Sequence, residues 1–363
     1  MILKGKSGYE RLLREHYETA NLIASDFHRR EFAHPEHIRR RYYTSESELR
    51  KGILDMARQP SGVFHTVNRF FDPHYPTVDH DNVKWDLIFD LDLSPYTKEV
   101  NEDGEEVTVF DVDEWKNRMY HIDYLRKLTL RLVEEFLVNL GISKDDIVFE
   151  FSGNKGFHIT VDNVETQKLN ENQRRMIVQY ITGNNLNKEL IFPNGRISKY
   201  GWGQQGIALL MEISQDQEQV NRYFKGKQAK KITDALSEPS VIERLQSGQL
   251  SDFNITSLVS GVVKRHKELK NVIDVKVTPD AKRIIRIPGS IHGKTGLPSV
   301  RLDYEQMQNV NAIVDEIISI AGSDLVKVEL EHECEIHFPF VKKFDAGVHE
   351  VPRFEALCLL SKN

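Results

Sequence analysis

Several short runs of this chain alternate apolar and polar residues, which is the pattern of a strand buried on one face. In the clearest run, Phe89, Leu91 and Leu93 share one face. Asp90 and Asp92 therefore share the other face, because side chains two positions apart in a strand point the same way. The pattern predicts a buried strand that carries two carboxylates side by side.

The same periodicities predict further elements. Apolar residues recur three and four positions apart over 122–140, which indicates an amphipathic helix that ends at a glycine. Strands are predicted at 147–151 and 157–161, on either side of a glycine-containing turn. Two more strands are predicted at 272–277 and 284–287. The order of strands and helix favours a mixed sheet with a helix packed on one face.

Other segments differ in character. Residues 7–56 have polar, helix-like spacing, and Asp103-Gly104 is a hairpin turn signal between short β-prone runs. Residues 165–262 are rich in Gln, Asn, Lys and Glu and predict a helical insertion. We therefore expect an α+β protein whose core has two parts, 1–164 and 263–363, separated by a helical subdomain.

Composition limits the classes of function. The 363 residues are 39% hydrophobic and 29% charged, as in an ordinary globular protein. The net charge of −6 argues against a broad DNA-coating surface, although local basic stretches leave nucleic-acid binding open. No apolar run approaches the roughly 20 residues that span a bilayer, so no membrane partner is predicted. The charged amino terminus lacks a signal peptide pattern, and the two cysteines fit a reducing cytoplasm.

The paired carboxylates are the first candidate for chemistry. Asp90 and Asp92 on one strand face would repel each other and would be costly to desolvate. A divalent cation removes both penalties, and hard oxygen ligands suit Mg²⁺ or Mn²⁺. The alternative is an edge strand whose polar face is simply wet.

The turn after the next strand is the second candidate. It contains Ser152, Gly153, Lys155, Gly156 and His158. Its two glycines allow close approach of the backbone to a ligand, its amides can form an anion-binding nest, and its lysine adds a charge suited to phosphate. The alternative is a hairpin with an incidental histidine.

The third candidate lies late in the chain. Asp274 lies in the apolar run predicted as a strand, and a basic, glycine-rich stretch follows it with Arg286, Ser290, His292 and Lys294. Such a stretch suits a polyphosphate, and the alternative is a basic surface loop. Three aspartates could hold two cations about 3.5–4 Å apart for an in-line displacement. Together the three clusters predict phosphoryl or nucleotidyl transfer from a nucleoside triphosphate.

These segments, in this order, resemble the three motifs of the small, catalytic subunit of archaeo-eukaryotic DNA primase. The residues that carry the resemblance are Asp90-Leu91-Asp92, Ser152-Gly153-x-Lys155-Gly156-x-His158, Asp274, and Arg286-x-Pro288-Gly289-Ser290-x-His292-Gly293-Lys294-Thr295-Gly296. Shorter segments, Arg30-Glu31-Phe32 and Glu350-Val351-Pro352, also resemble archaeal members. The resemblance thus spans nearly the whole chain.

The resemblance implies a fold related to the RNA-recognition motif, with primer synthesis from nucleoside triphosphates on a single-stranded DNA template. Asp90, Asp92 and Asp274 would be both the catalytic residues and the Mg²⁺ or Mn²⁺ ligands. The nucleotide would be bound by the following residues: Ser152, Gly153, Lys155, Gly156, His158, Arg286, Ser290, His292 and Lys294. The implied partner is a separate large primase subunit.

The sequence departs from the family pattern at two points. Many members have a cysteine-rich zinc knuckle after the Asp-x-Asp strand, but residues 96–120 contain no cysteine. A structural zinc needs four ligands, so we expect no zinc. Lys155 stands where an arginine is usual, and a point charge there replaces a bidentate fork.

Three alternatives remain open at this stage. A stand-alone primase-polymerase for repair, gap filling or a mobile element would fit the missing zinc knuckle. A catalytically degenerate nucleic-acid-binding module would use the same fold to stack bases. A nuclease also uses clustered carboxylates, but it would leave the stretch from Arg286 to Lys294 without a role.

Overall fold

A computed structural model describes residues 1–34, 40–56, 58–73, 84–93, 98–100, 106–108, 118–184, 188–191, 201–216, 219–249 and 253–362. The strands are β1 (Ile2–Lys4), β2 (Phe32–Ala33), β3 (Phe64–Thr66), β4 (Asn68–Arg69), β5 (Lys84–Trp85), β6 (Leu87–Asp92), β7 (Lys98–Val100), β8 (Glu106–Thr108), β9 (Ile147–Phe151), β10 (Gly156–Val161), β11 (Ile284–Arg286), β12 (Val300–Leu302), β13 (Leu325–Leu330), β14 (Cys334–Ile336), β15 (Lys342–Phe344) and β16 (Gly347–Pro352).

The helices are α1 (Gly5–Thr19), α2 (Glu46–Leu54), α3 (Arg118–Leu132), α4 (Val164–Gln167), α5 (Glu171–Thr182), α6 (Lys188–Ile191), α7 (Trp202–Gln215), α8 (Val220–Tyr223), α9 (Gly226–Leu236), α10 (Pro239–Gln246), α11 (Ile255–Val272), α12 (Val310–Ala321) and α13 (Arg353–Leu360). The chain divides into two compact units. One contains Met1–Thr129, Lys144–Arg175 and Asp274–Asn363, and the other contains Leu130–Ser143 and Met176–Ile273.

The first unit is built on an antiparallel sheet of four strands in the order β12–β9–β10–β6. Alternation buries one face of this sheet completely, because Phe89, Leu91, Phe149, Phe157 and Ile159 have no exposed surface. The opposite face carries the polar side chains of the same strands. The sheet therefore presents a fixed row of ionisable groups to one side.

Two smaller sheets complete the first unit, with the orders β11–β3–β2 and β1–β13–β16. Strand β3 lies between β11 and β2. At the carboxyl end of β11, Arg286 is therefore opposite Phe64, which is opposite Ala33 on its other side. Helix α1 packs against α2 and α13, and α12 packs against α13. The 284–300 stretch connects two sheets, because β11 pairs with β3 and β12 pairs with β9 of the central sheet. The stretch therefore ends at the edge of the central sheet.

The second unit is helical in its described residues. Its buried polar centre is Arg265 of α11, whose guanidinium donates to Glu135 at 2.6 Å, to Glu212 at 2.8 Å and to Gln205 at 3.0 Å. Charge-assisted hydrogen bonds of this length satisfy a guanidinium that is only 4% exposed. Among the helices that the structure describes, none has both the length and the hydropathy required to cross a bilayer.

The α+β class predicted from the pattern is confirmed. The strands at 147–151 and 284–287 form as β9 and β11, and β7 pairs with β8 as the predicted hairpin. Its Asp103-Gly104 turn lies outside the described residues. The three-part domain division stays a prediction.

Two predicted elements are wrong. In the described part of 7–56 the α-helices are α1 and α2, and the segment between them includes a short 3-10 turn, the buried Arg30 and strand β2. The strand predicted at 272–277 is absent, because α11 continues to Val272 and a turn follows it. Asp274 is therefore not on a strand.

Candidate active site

The register of the central sheet aligns three ionisable residues across three strands. His158 of β10 lies opposite Asp90 of β6 and opposite Glu150 of β9. The imidazole Nε2 is 3.6 Å from Asp90 Oδ1, and Nδ1 is 3.8 Å from Glu150 Oε2. Burial disfavours the imidazolium, but the charges of Asp90 and Glu150 outweigh this effect and raise the pKa of His158. The row therefore places an imidazole, whose pKa is raised, between two carboxylates.

Asp92 lies two residues after Asp90 on the same face of β6, opposite Gly156 of the glycine turn. Desolvation raises the pKa of Asp92 to about 6; the ammonium of Lys155, with its Nζ 3.4 Å from Asp92 Oδ2, opposes this rise, and the charge of Asp90 adds to it. A Cβ at Gly156 would lie 2.8 Å from the Leu91 carbonyl oxygen, so only glycine fits opposite Asp92. A carboxylate with a raised pKa gains most from a bound cation.

The turn between β9 and β10 is closed by its own serine. The Ser152 amide donates to the Gly156 carbonyl at 2.9 Å, and Ser152 Oγ accepts from the amides of Gly156 at 3.2 Å and Asn154 at 3.4 Å. Gly153 has a φ of +81°, which favours glycine at this position. The serine hydroxyl therefore shapes the turn, and its side chain also lines the cavity described below.

Thr295 joins this turn to the loop after β11. Its hydroxyl donates to the Gly153 carbonyl at 2.5 Å and accepts from the Leu297 amide at 3.2 Å. Thr295 is buried, so water cannot replace these bonds. The threonine fixes the two ligand-facing loops relative to each other.

We expect Thr295→Val to lower the free energy of unfolding by about 1–3 kcal/mol, because an isosteric methyl leaves a buried carbonyl and a buried amide unpaired. Thr295→Ser keeps the hydroxyl and should retain most of that free energy. Urea unfolding followed by tryptophan fluorescence measures both variants. Equal stability of the valine and serine variants would contradict the bridging role of the hydroxyl.

The end of β11 and the loop after it each supply one cavity residue of the predicted set. The Arg286 guanidinium lies 4.6 Å from the Phe64 ring centre and donates to the Ile291 carbonyl at 3.4 Å. Burial, followed by the charges of Arg286 and Arg118, lowers the pKa of His292 to about 3. His292 is therefore neutral, and its Nδ1 lies 3.3 Å from both the Lys294 amide nitrogen and the Thr295 hydroxyl oxygen.

Four predicted residues do not line the cavity, and Gly153, which shapes the glycine turn, is the first of them. Ser290 has no exposed surface, and its hydroxyl donates to the Val63 carbonyl at 3.3 Å. Lys294 is exposed at the far end of its loop. The Asp274 amide donates to the Asp90 carbonyl at 2.9 Å, while Asp274 Oδ1 accepts from the Lys276 amide at 2.9 Å. Asp274 is thus beside the Asp90 strand through its backbone, with its carboxylate bonded within its own turn.

A cavity of about 440 Å³ collects the remaining groups. Its lining comprises Phe64, Asp90, Asp92, Ser152, Asn154, Lys155, Gly156, His158, Val277, Arg283, Ile284, Ile285, Arg286 and His292. This volume lies within the range of about 300–1,000 Å³ typical of small-molecule sites. Two carboxylates and several cationic or N–H donor groups therefore converge on one cavity of ligand size.

The prediction omitted three residues that belong to this site. Arg283 lines the cavity with its guanidinium 3.4 Å from Asp90 Oδ2, and it stands inside the basic run already noted in the sequence. Glu150 follows from the β9 alternation once the register with β10 is known. Phe64 comes from β3, and no local signal connects it with β11.

The donor set suits a hard divalent cation. Asp90 and Asp92 offer neighbouring carboxylate oxygens at the cavity, and desolvation raises the pKa of Asp92 although Lys155 lies beside it. Within the described part of the chain, no three His, Cys, Asp or Glu side chains form a group able to hold a metal ion. Asp90 and Asp92 are the two carboxylates at the cavity, and the metal-ligand roles of Asp90, Asp92 and Asp274 stay predictions.

Comparisons with known proteins agree with this geometry. A family model described as DNA primase small subunit matches residues 89–304, more than half of the 363-residue chain. The chain is 27% identical to the DNA primase small subunit PriS of Methanococcoides burtonii, across 100% of this chain and 98% of that protein. It is 28% identical to the PriS of Methanothrix thermoacetophila and 26% identical to that of Methanocella arvoryzae; the two alignments cover 86% and 89% of this chain, respectively, and 86% of each relative. The matched stretch contains every predicted site residue.

Proposed function

The chain belongs to the DNA primase small subunit family, and we propose on this premise that it synthesises short primers on single-stranded DNA. The reaction class is nucleotidyl transfer from nucleoside triphosphates, either ribonucleotides or deoxyribonucleotides. The observation that carries the proposal is the convergence of Asp90 and Asp92 with Lys155, Arg286 and His292 around one cavity. A pure binding module would have no use for two carboxylates facing a polyanionic ligand.

The proposed reaction joins a 3′-oxygen to the α-phosphorus of the incoming nucleotide and expels pyrophosphate. A Mg²⁺ or Mn²⁺ ion held by Asp90 and Asp92 would supply Lewis-acid stabilisation of the reacting oxygens. The protein's own task is to orient the triphosphate and to neutralise the leaving pyrophosphate. Lys155 and Arg286 provide the charge, and neutral His292 provides a ring nitrogen for a directional hydrogen bond.

The glycine turn supports the same task. Ser152 and Gly153 shape its backbone, and Lys155 lines the same cavity as Arg286 and His292. Such a turn can approach phosphate oxygens closely. We infer that the triphosphate lies between this turn and the loop after β11.

We propose that the chain works with a large primase subunit, because its relatives are named as small subunits. The DNA template and nucleoside triphosphates would be its other partners, and the cytoplasm its location. The missing cysteines in 96–120 bear on this proposal, since a primase-polymerase acting alone would also dispense with the zinc knuckle.

De novo synthesis on unprimed single-stranded DNA tests the proposal. Labelled nucleotides and Mn²⁺ are supplied to the isolated chain and to its mixture with the large subunit from the same genome. Short products from either sample support a primase, and stable co-elution of the two chains supports the partner. Extension only of a supplied primer, with no co-elution, would favour a polymerase that acts without a large subunit. The absence of synthesis in every sample would contradict the proposed activity.

A further inference from the structure

Each paired carboxylate in the cavity already faces a cationic side chain of the protein. The His158 Nε2 is 3.6 Å from Asp90 Oδ1, and an Arg283 guanidinium nitrogen is 3.4 Å from Asp90 Oδ2. The Lys155 ammonium is 3.4 Å from Asp92 Oδ2. Side chains of the protein therefore lie beside these carboxylate oxygens, and a divalent cation bound to the same carboxylates would compete with them.

Arg283 is the side chain best placed to move. Its backbone is fixed, because its carbonyl accepts from the Val67 amide at 3.0 Å and its amide donates to the Asp280 carbonyl at 3.2 Å. Its side chain, by contrast, is 40% exposed and lies at the cavity with a long contact to Asp90. A long, exposed ion pair is weak and is easily exchanged.

His158 cannot exchange in the same way. It is 13% exposed and lies between Asp90 on one side and Glu150 on the other, with both partners set by the strand register. The imidazole therefore keeps its place when Asp90 gains another partner. Of the two side chains beside Asp90, the guanidinium is the one that a new ligand can attract.

We infer that Arg283 is an exchangeable counter-ion that couples metal binding to nucleotide binding. It neutralises Asp90 in the nucleotide-free protein, and it exchanges Asp90 for the triphosphate when the nucleotide binds, an exchange that a divalent cation on that carboxylate favours. Its planar fork of donors matches phosphate oxygens better than a point charge does. This inference rests on the proposed function, because it takes the ligand to be a nucleoside triphosphate.

Exchange of this kind has a reciprocal consequence. Metal binding frees the guanidinium for phosphate, and phosphate binding removes a competitor of the metal, so each ligand raises the affinity for the other. Removal of Arg283 must then change the two separate affinities in opposite directions. A residue that only supports the cavity wall would weaken both.

The test compares Arg283→Gln with the wild-type protein. Electron paramagnetic resonance of free Mn²⁺ gives the metal affinity without nucleotide, and equilibrium dialysis of labelled ATP in EDTA gives the nucleotide affinity without metal. We expect Arg283→Gln to bind Mn²⁺ more tightly, by about two- to fivefold, because a weak competing ion pair is gone. We expect its ATP affinity to fall by roughly tenfold, because a charge-assisted phosphate contact is lost.

Lys282→Gln is the matched control. Lys282 is adjacent to Arg283 and carries the same charge, but its side chain is exposed and lies outside the cavity lining. Arg283→Lys should keep the wild-type Mn²⁺ affinity and recover only part of the ATP affinity. An Mn²⁺ affinity in Arg283→Gln equal to that of the control overturns the counter-ion role. An ATP affinity equal to that of the control overturns the transfer to phosphate.

Primer synthesis by the same wild-type preparation separates this inference from the proposed function. Opposite shifts in the two affinities with no primer synthesis would support the exchange and contradict the activity. Primer synthesis together with unchanged affinities in Arg283→Gln would support the activity and overturn the exchange. Thermal melting of each variant confirms that the comparison is made between folded proteins.

Discussion

Replacement of Asp90 by asparagine is expected to reduce nucleotide incorporation by at least about 1,000-fold, the scale on which removal of a key electrostatic group slows an enzyme. Asparagine has nearly the same shape as aspartate but no charge, so the cavity keeps only the carboxylate of Asp92. The free energy of unfolding should change by no more than about 1 kcal/mol, because Asp90 is partly solvated. The substitution also removes the repulsion between Asp90 and Asp92.

Asp315→Asn is the matched control for this variant. Asp315 is exposed on α12 and lies outside the cavity lining, so the same chemical change there should leave incorporation unaltered. Incorporation is measured as labelled nucleotide in products, and stability by circular dichroism during urea unfolding. Activity of Asp90→Asn within tenfold of the control would remove Asp90 from the catalytic account.

The largest expected loss of stability comes from Asp86, which lies on the same segment but outside the cavity. Asp86 is 2% exposed and accepts from Arg30 at 2.7 Å and from Arg69 at 2.8 and 2.9 Å. The Arg174 guanidinium donates to the Asp86 backbone carbonyl at 2.8 Å. Arg30 itself is 1% exposed, so its charge depends on this carboxylate.

Asp86→Asn should lower the free energy of unfolding by about 3–5 kcal/mol, because it leaves a buried guanidinium without a charge partner. Asp26→Asn is the control, since Asp26 also binds Arg69 at 2.8 Å but is 34% exposed. An exposed pair of this kind contributes about 0–1 kcal/mol. Urea unfolding of both variants makes the measurement, and equal losses would show that burial does not govern this network.

Local alternation predicted the parts of the site that lie on regular strands. Phe89 and Leu91 have no exposed surface, and Asp90 and Asp92 line the cavity, as the strand pattern requires. His158 follows the same rule on β10. These residues could be placed because a strand fixes the direction of each side chain without reference to the rest of the fold.

The same alternation failed after α11 for a physical reason. A strand would bury Ile273, Val275 and Val277 together, but the structure buries Ile273 and Val277 and leaves Val275 44% exposed. Ile273 and Val277 pack against the core while Val275 between them faces solvent, so this segment forms a turn after the helix. The alternation of five residues by itself does not distinguish a strand from such a turn.

Motif membership also did not show which way a side chain points. Ser290 belongs to the glycine-rich stretch, yet its hydroxyl faces the buried Val63 carbonyl. Arg283 was left out of the predicted site, although its guanidinium reaches Asp90 from a different sheet. Contacts of this kind depend on how β11 is placed beside β6, and that placement is a property of the whole unit.

The most direct test of the central claim is template-directed synthesis on homopolymers. The wild-type chain, with its large subunit and Mn²⁺, is given unprimed poly(dT) with either labelled ATP or labelled UTP. The account predicts short products from ATP alone, and none from Asp90→Asn. Equal incorporation of both nucleotides, or products that persist in Asp90→Asn, would contradict a template-directed primase that acts through this site.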